Sequence, residues 1–126
     1  MIEEIYTPNS PTPGGHYAQA IKYENFLFVS GILPINPQTG EKQNGTIEEQ
    51  THQVLRNLDA VLTAGGSSKE KVLKTNVYIA DISYWAKVNE IYAAYFGHHT
   101  PARTVVPVKE LHFGFEIELE AVAIIK

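Results

Sequence analysis

Glu116-Ile117-Glu118-Leu119-Glu120-Ala121-Val122-Ala123 alternates acidic and apolar residues almost to its end, a period that fits a half-buried β-strand. With side chains pointing alternately to opposite faces, Ile117, Leu119, Ala121 and Ala123 line one face and Glu116, Glu118 and Glu120 the other. The first face needs a core beneath it. The second sets like charges about 7 Å apart, where they repel unless water or a cation answers them. Arg103 is the candidate cation, at the mouth of a second apolar strand, Pro101-Ala102-Arg103-Thr104-Val105-Val106-Pro107-Val108. The pairing has two readings. It is a structural ion pair or, because a guanidinium grips a carboxylate at two points, the two halves of a small-acid site. From these residues alone the ion pair is the simpler.

The rest of the chain supplies the core those strands require. After a short strand near Glu3 to Tyr6, the prolines and glycines up to Gly15 predict a loop. Tyr17 to Tyr23 and Phe26 to Ser30 then read as a hairpin turning at Glu24-Asn25. Phe26-Leu27-Phe28-Val29 is apolar on both faces, so it must be covered twice. Thr46 and Glu49 form a capping box for a helix running to about Ala64. Ile47, Val54, Leu55, Leu58, Val61 and Leu62 recur along it at helical spacing, and Gly65-Gly66 ends it. Val72 to Ala80 is a strand. Asp81 or Ser83 caps a second helix, Tyr84 to Phe96, with a stripe of Val88, Ile91, Tyr92, Tyr95 and Phe96. A linker from Lys109 to Gly114 separates the last two strands.

This order predicts one α+β domain over residues 1–126, a mixed β-sheet with two helices on one face. The other sheet face, bearing apolar side chains, predicts an oligomer that covers it.

Several function classes are disfavoured. The chain carries 10 Lys and Arg against 14 Asp and Glu, with no basic stripe of the kind nucleic acid selects, so no nucleic-acid partner is expected. Its longest apolar run, Phe26 to Ile35, is interrupted and too short for a bilayer, so no membrane partner is expected either. Acids stand at Glu3 and Glu4 where a secretory signal needs bases, which makes cytoplasmic residence the expectation. Without cysteine there is no thiolate chemistry. The 5 histidines do not stand at ligand spacing, so no metal is expected. Ser30-Gly31 follows a strand but lacks the glycine run of a phosphate loop and the setting of a nucleophile elbow; a glycine for close backbone approach is the better reading. Asn89, beside the stripe of the second helix, reads as a buried amide satisfying a backbone neighbour, and Tyr17 as a core or interface aromatic.

Taken together, these segments say more than any one of them. Gly15-His16-Tyr17-Ala18-Gln19-Ala20, Phe28-Val29-Ser30-Gly31-Ile32-Leu33-Pro34, Pro37-Gln38-Thr39-Gly40, Glu48-Glu49-Gln50-Thr51, Val88-Asn89-Glu90-Ile91-Tyr92, Pro101-Ala102-Arg103 and Ile117-Glu118-Leu119-Glu120-Ala121 stand in one order. From about Thr7 onward the chain closely resembles the RidA/YjgF family of reactive-intermediate deaminases. The resemblance implies a chorismate-mutase-like fold, a homotrimer with intersubunit sites, and cofactor-free hydrolysis of enamines and imines to 2-keto acids and ammonia. It also implies site roles. Arg103 would bind the substrate carboxylate, Glu118 would work through a water, and Tyr17 would close the pocket from a neighbouring subunit. Ser30, Gly31 and Asn89 match pocket positions, and a backbone carbonyl near Val105 would hold the attacking water. Three residues depart from the common pattern: His16, Ile32 and Val105, where many members carry Pro, Gln and Cys. Val105 excludes a thiol role, and the other two alter the pocket rim. The aromatic loop Glu110 to Phe115 is expected at the trimer interface rather than in the cleft. The rival reading is a non-catalytic trimer that binds a keto acid or amino-acid derivative. RNA cleavage or translation inhibition, also linked to the family, fits the acidic balance least.

Overall fold

The computed structural model describes residues 1–126. Six strands and two helices follow in the order β1 (Glu3–Ile5), β2 (Ala20–Tyr23), β3 (Phe26–Ile32), α1 (Ile47–Ala64), β4 (Val72–Ile79), α2 (Trp85–Phe96), β5 (Ala102–Pro107) and β6 (Ile117–Ile124). The strands form one mixed sheet ordered β1-β2-β3-β6-β4-β5. All neighbours are antiparallel except β4 and β5. No helix is long and apolar enough to cross a membrane.

Alternation decides which face is buried. Ile117, Leu119, Ala121 and Ala123 of β6 are buried together with Val77 and Ile79 of β4 and Leu27 and Val29 of β3. They meet α1, every predicted stripe residue of which is buried. Fully burying a Leu or Val stabilises by about 1.5–3 kcal/mol, so this layer dominates the fold's energetics. The Thr46–Glu49 capping box forms. At the other end Gly66 takes φ +83°, and the Ser67 amide reaches back to the Leu62 carbonyl. That left-handed residue stops the helix, as its lack of a side chain allows. Asp81 caps the turn ahead of α2 through the Ser83 amide. Val88, Tyr92 and Phe96 are buried, with Ile91 and Tyr95 partly so.

The second face is open. Phe26 and Phe28 remain 42% and 47% exposed, Tyr23 48%, and in register with them stand Ile21, Val122 and Ile124. Phe26 and Phe28 therefore have their partners Leu27 and Val29 in the core and nothing over their own rings.

Three expected boundaries shift. Tyr17 to Gln19 form a bend rather than the start of β2, because Gln19 is occupied elsewhere. Its buried side-chain amide donates to the Thr7, Ser10 and Pro11 carbonyls and accepts from the Thr7 amide, strapping the proline-rich loop to the sheet. At the far end of β3 the strand continues through Ser30 and Gly31 to Ile32. Val29 pairs with Ala121 and Ile32 with Leu119, so two residues of β3 face one of β6 in a β-bulge. Lastly, Glu116 falls ahead of β6, where its amide donates to Gln50 Oε1 at 2.8 Å. Only Glu118 and Glu120 remain as an acidic pair on the strand.

Strand β5 closes one edge of the sheet. The Val108 amide donates to the Ile79 carbonyl, so by alternation Val106 and Thr104 also direct their backbone groups to β4. Pro107, Val105 and Arg103 direct theirs outward, which is why a residue without an N–H is tolerated at 107.

Candidate active site

Arg103 and Glu118 lie on opposite faces of the sheet. Arg103 is in register with Thr75, a fully buried residue whose hydroxyl meets that of Tyr92 on α2. Its guanidinium sits 4.8 Å from the Tyr92 ring centroid and 5.5 Å from that of Trp85. One N–H donates to Asn89 Oδ1 at 2.8 Å. Glu118 is in register with Tyr78, on the open face. The expected ion pair between Arg103 and a strand carboxylate is therefore absent, since the sheet separates the partners. The chain's ion pair is instead Lys87–Glu48, on the surface.

Two half-sites result. In the first, Asn89 holds the half-buried arginine against two rings, satisfying a side chain and not the backbone neighbour its sequence setting suggested. A guanidinium has five donors in a planar fork, and here one N–H is taken by Asn89, which leaves bidentate capacity for a carboxylate. Two residues further along β5, Val105 packs its side chain on the core and turns its carbonyl to the outer edge.

The second half is a cavity of about 490 Å³ lined by Tyr17, Ser30, Gly31, Ile32, Glu118 and, from two loops, Lys42, His112 and Phe113. The bulge builds its floor. Ser30 donates to the Ala18 carbonyl at 2.6 Å, tying β3 to the segment that carries Tyr17. The Tyr17 hydroxyl accepts from the Gly14 amide. Gly31 leaves room for the acid: a Cβ there would lie 2.2 Å from Glu118 Oε2. The close approach expected of this glycine is thus to a side chain. His112 and Phe113 of the aromatic loop line this cavity. Lys42 and His112 were missed as site residues; no local pattern marks them, because they reach the cavity from loops.

Burial raises the Glu118 pKa above the ordinary glutamate value; the His112 imidazole opposes the rise and Glu120 adds to it. Neither Glu116 nor Arg103 contributes to the shift. A raised value keeps part of the carboxyl protonated closer to neutrality, as a residue that both gives and takes a proton requires. It also costs stability. Below the ordinary glutamate range both states hold the proton and no cost arises. As pH rises through that range toward the raised folded value, the unfolded chain gains by ionising first. Glu118→Gln is therefore expected to melt above the parent at about pH 8 and with it at about pH 4. Thermal unfolding at both pH values checks this; an equal gap at the two would show that proton linkage is not its cause. No three His, Asp or Glu side chains converge where they could share a metal ion.

Similarity to known chains runs along nearly all of the sequence. The model of the family described as Endoribonuclease L-PSP matches residues 7–125. A RutC family protein of Pyrococcus horikoshii is 50% identical over 123 residues, 98% of each chain. The chloroplastic Reactive Intermediate Deaminase A of Arabidopsis thaliana is 40% identical over 121 residues, 96% of this chain and 65% of that one. Among solved structures, YyfA of Yersinia pestis, of the conserved Rid protein family, superposes with a TM-score of 0.96 at 43% identity, over 98% of this chain and 99% of that one. The YjgF gene product of E. coli superposes with a TM-score of 0.93 at 35% identity, over 98% and 99%.

Proposed function

The chain belongs to the RidA/YjgF family, whose model carries the description Endoribonuclease L-PSP, and on that premise we propose that it hydrolyses reactive enamines and imines of the 2-aminoacrylate and 2-iminopropanoate class to 2-keto acids and ammonia. The carrying observation is the division of the site. An arginine with spare donors and an outward carbonyl sit on one strand edge; a cavity holding a glutamate of raised pKa lies on the opposite face. Neither half is sufficient. A homotrimer of the chorismate-mutase-like type would cover the open apolar face and bring one subunit's β5 edge to the next subunit's cavity. Tyr17, Ser30, Gly31 and Glu118 would then come from one subunit and Arg103, Asn89 and Val105 from its neighbour.

The reaction needs position and charge more than an external group. Arg103 grips the carboxylate of the enamine in its planar fork. Glu118 in its acid form protonates the enamine β-carbon, giving the iminium, whose carbon is electrophilic. Water held between the resulting Glu118 carboxylate and the Val105 carbonyl attacks that carbon and gives its proton to Glu118. Glu118 returns the proton to the nitrogen of the carbinolamine, and ammonia leaves as the hydroxyl gives its proton to the Glu118 carboxylate and collapses to the ketone. The balance is enamine acid plus water to keto acid plus ammonia, and the Glu118 proton is restored. Holding the reactants in line supplies much of the acceleration.

The test is to generate imino acids with an amino-acid oxidase, trap them with semicarbazide, and measure whether the protein suppresses the adduct. Suppression supports the deaminase. Tight keto-acid binding without suppression would support the non-catalytic small-acid trimer instead.

A further inference from the structure

Lys42, His112 and Phe113 are among the residues of the cavity wall with no part in that reaction. All three are exposed, yet specific contacts position them. Phe113 adopts a left-handed backbone, φ 60° and ψ 17°, which bends the loop back on itself. Its ring meets that of Phe115 edge-on at 5.8 Å, and Phe115, 1% exposed, roots the loop in the protein. The Phe113 carbonyl accepts from Asn44 Nδ2 at 3.3 Å and the His112 carbonyl from the Phe115 amide at 3.1 Å. Lys42 arrives from a different loop, fixed by its bridge to Ile35, and its ammonium lies 4.5 Å from the Phe113 ring centroid. His112 lies on the same ring's flank, with centroids 6.0 Å apart.

The electrostatics point to an anion. The chain as a whole carries a net charge of −4, yet Lys42 and Glu118 are the formally charged residues of this wall, joined by the titratable His112. Burial favours the neutral form of Glu118. The carboxylate of Glu120, next along that face of β6, is taken by the Tyr78 hydroxyl. Neither Lys42 nor His112 forms an ion pair. A lysine stacked on an aromatic ring, with no acid to answer it, is a vacant partner for a carboxylate.

We propose that Lys42 and His112 form a side-chain subsite that favours imino acids bearing a second, distal carboxylate, the imines of the aspartate and glutamate class. The assignment rests on the deaminase reading and adds the substrate class to it. Arg103 of the neighbouring subunit takes the α-carboxylate, the Phe113 ring covers the methylenes, and the Lys42 ammonium meets the distal carboxylate with a His112 ring N–H beside it. A cavity of about 490 Å³ is ample for such a five-carbon diacid.

Glutamate- and leucine-derived imines, of similar length and opposite polarity, decide the matter in the semicarbazide competition. The intact protein should prefer the glutamate imine. Lys42→Met keeps the length and the contact with Phe113 but removes the charge. It should lower kcat/KM for the glutamate imine about tenfold, mostly through KM, the loss expected for one charge-assisted hydrogen bond. Turnover of the leucine imine should fall by clearly less or rise, since no charge-assisted hydrogen bond is lost to it. Lys42→Glu should lower the glutamate imine further, and His112→Gln by less than Lys42→Met. Equal losses for both imines, or no loss in Lys42→Met, would overturn the subsite. So would turnover of the leucine imine with refusal of the glutamate imine, which leaves the deaminase standing. Turnover of neither imine, with the alanine-derived imine still hydrolysed, overturns the subsite alone; turnover of none of the three overturns the deaminase as well.

Discussion

Arg103→Ala is expected to lower kcat/KM for imine hydrolysis roughly 10²- to 10⁴-fold, the range set by losing two charge-assisted hydrogen bonds of about 1.5–3 kcal/mol each. The fold should scarcely notice. The side chain is half-buried at a sheet edge, with one hydrogen bond to Asn89 and two ring contacts. Its removal should cost about 1 kcal/mol of stability, a shift of a few degrees in Tm. Arg103→Lys separates charge from shape, because it keeps the cation and loses the fork, so it should recover only part of the activity. The semicarbazide competition read beside a thermal melt checks all three. Undiminished turnover in Arg103→Ala would remove this residue as carboxylate anchor, and unfolding of the variant would mean that Asn89 and Tyr92 hold it for structural reasons.

Gly31→Ala should separate activity from stability even more sharply. The added methyl would stand 2.2 Å from Glu118 Oε2 and 3.1 Å from its Cδ, inside any tolerable contact. The end of a glutamate side chain is flexible and sits in an open cavity, so it moves aside with little strain on the sheet. Gly31 is itself exposed and its φ is not in the left-handed region. Stability should therefore stay within about 1 kcal/mol of the parent, while displacement of the proton-transfer group costs roughly 10²-fold or more in kcat. Glu118→Gln is the reference. If Gly31→Ala and Glu118→Gln each lower kcat, and the double variant is no slower than Glu118→Gln alone, the glycine acts through the glutamate. Additive losses would assign it a separate role.

Much of this arrangement was legible in the residues. Strict alternation in Ile117 to Ala123 and the three-and-four spacing from Ile47 to Leu62 fixed the buried faces of β6 and α1, because one period admits one face. The capping box and Gly66 fixed where α1 begins and stops. Two kinds of information were not local. A β-bulge depends on register against a strand almost ninety positions away, so nothing between Phe26 and Ile32 could say that Ser30 and Gly31 would oppose a single residue of β6 and that Ile32 would return to the core. Likewise, Arg103 and Glu118 look compatible as a pair along the chain. Their segregation follows from β5 joining the sheet parallel to β4 and from which face each register position takes. Lys42, His112 and Phe113 escaped notice as site residues for the same reason: two loops far apart in sequence meet over one ring.

The placement of β6 bears on how the chain is made. It is the last of the sheet's six strands in chain order, yet it lies between β3 and β4 and is hydrogen-bonded to both. Until it leaves the ribosome, the hairpin of β2 and β3 and the pair of β4 and β5 have no common ladder, and the apolar face of α1 has only part of its sheet to rest on. The sheet therefore cannot close before β6 is available, and long-range strand closure of this kind is slow. The nascent protein spends that interval with two unpaired strand edges exposed, which makes the speed of the final pairing, more than the strength of any one contact, its safeguard against aggregation.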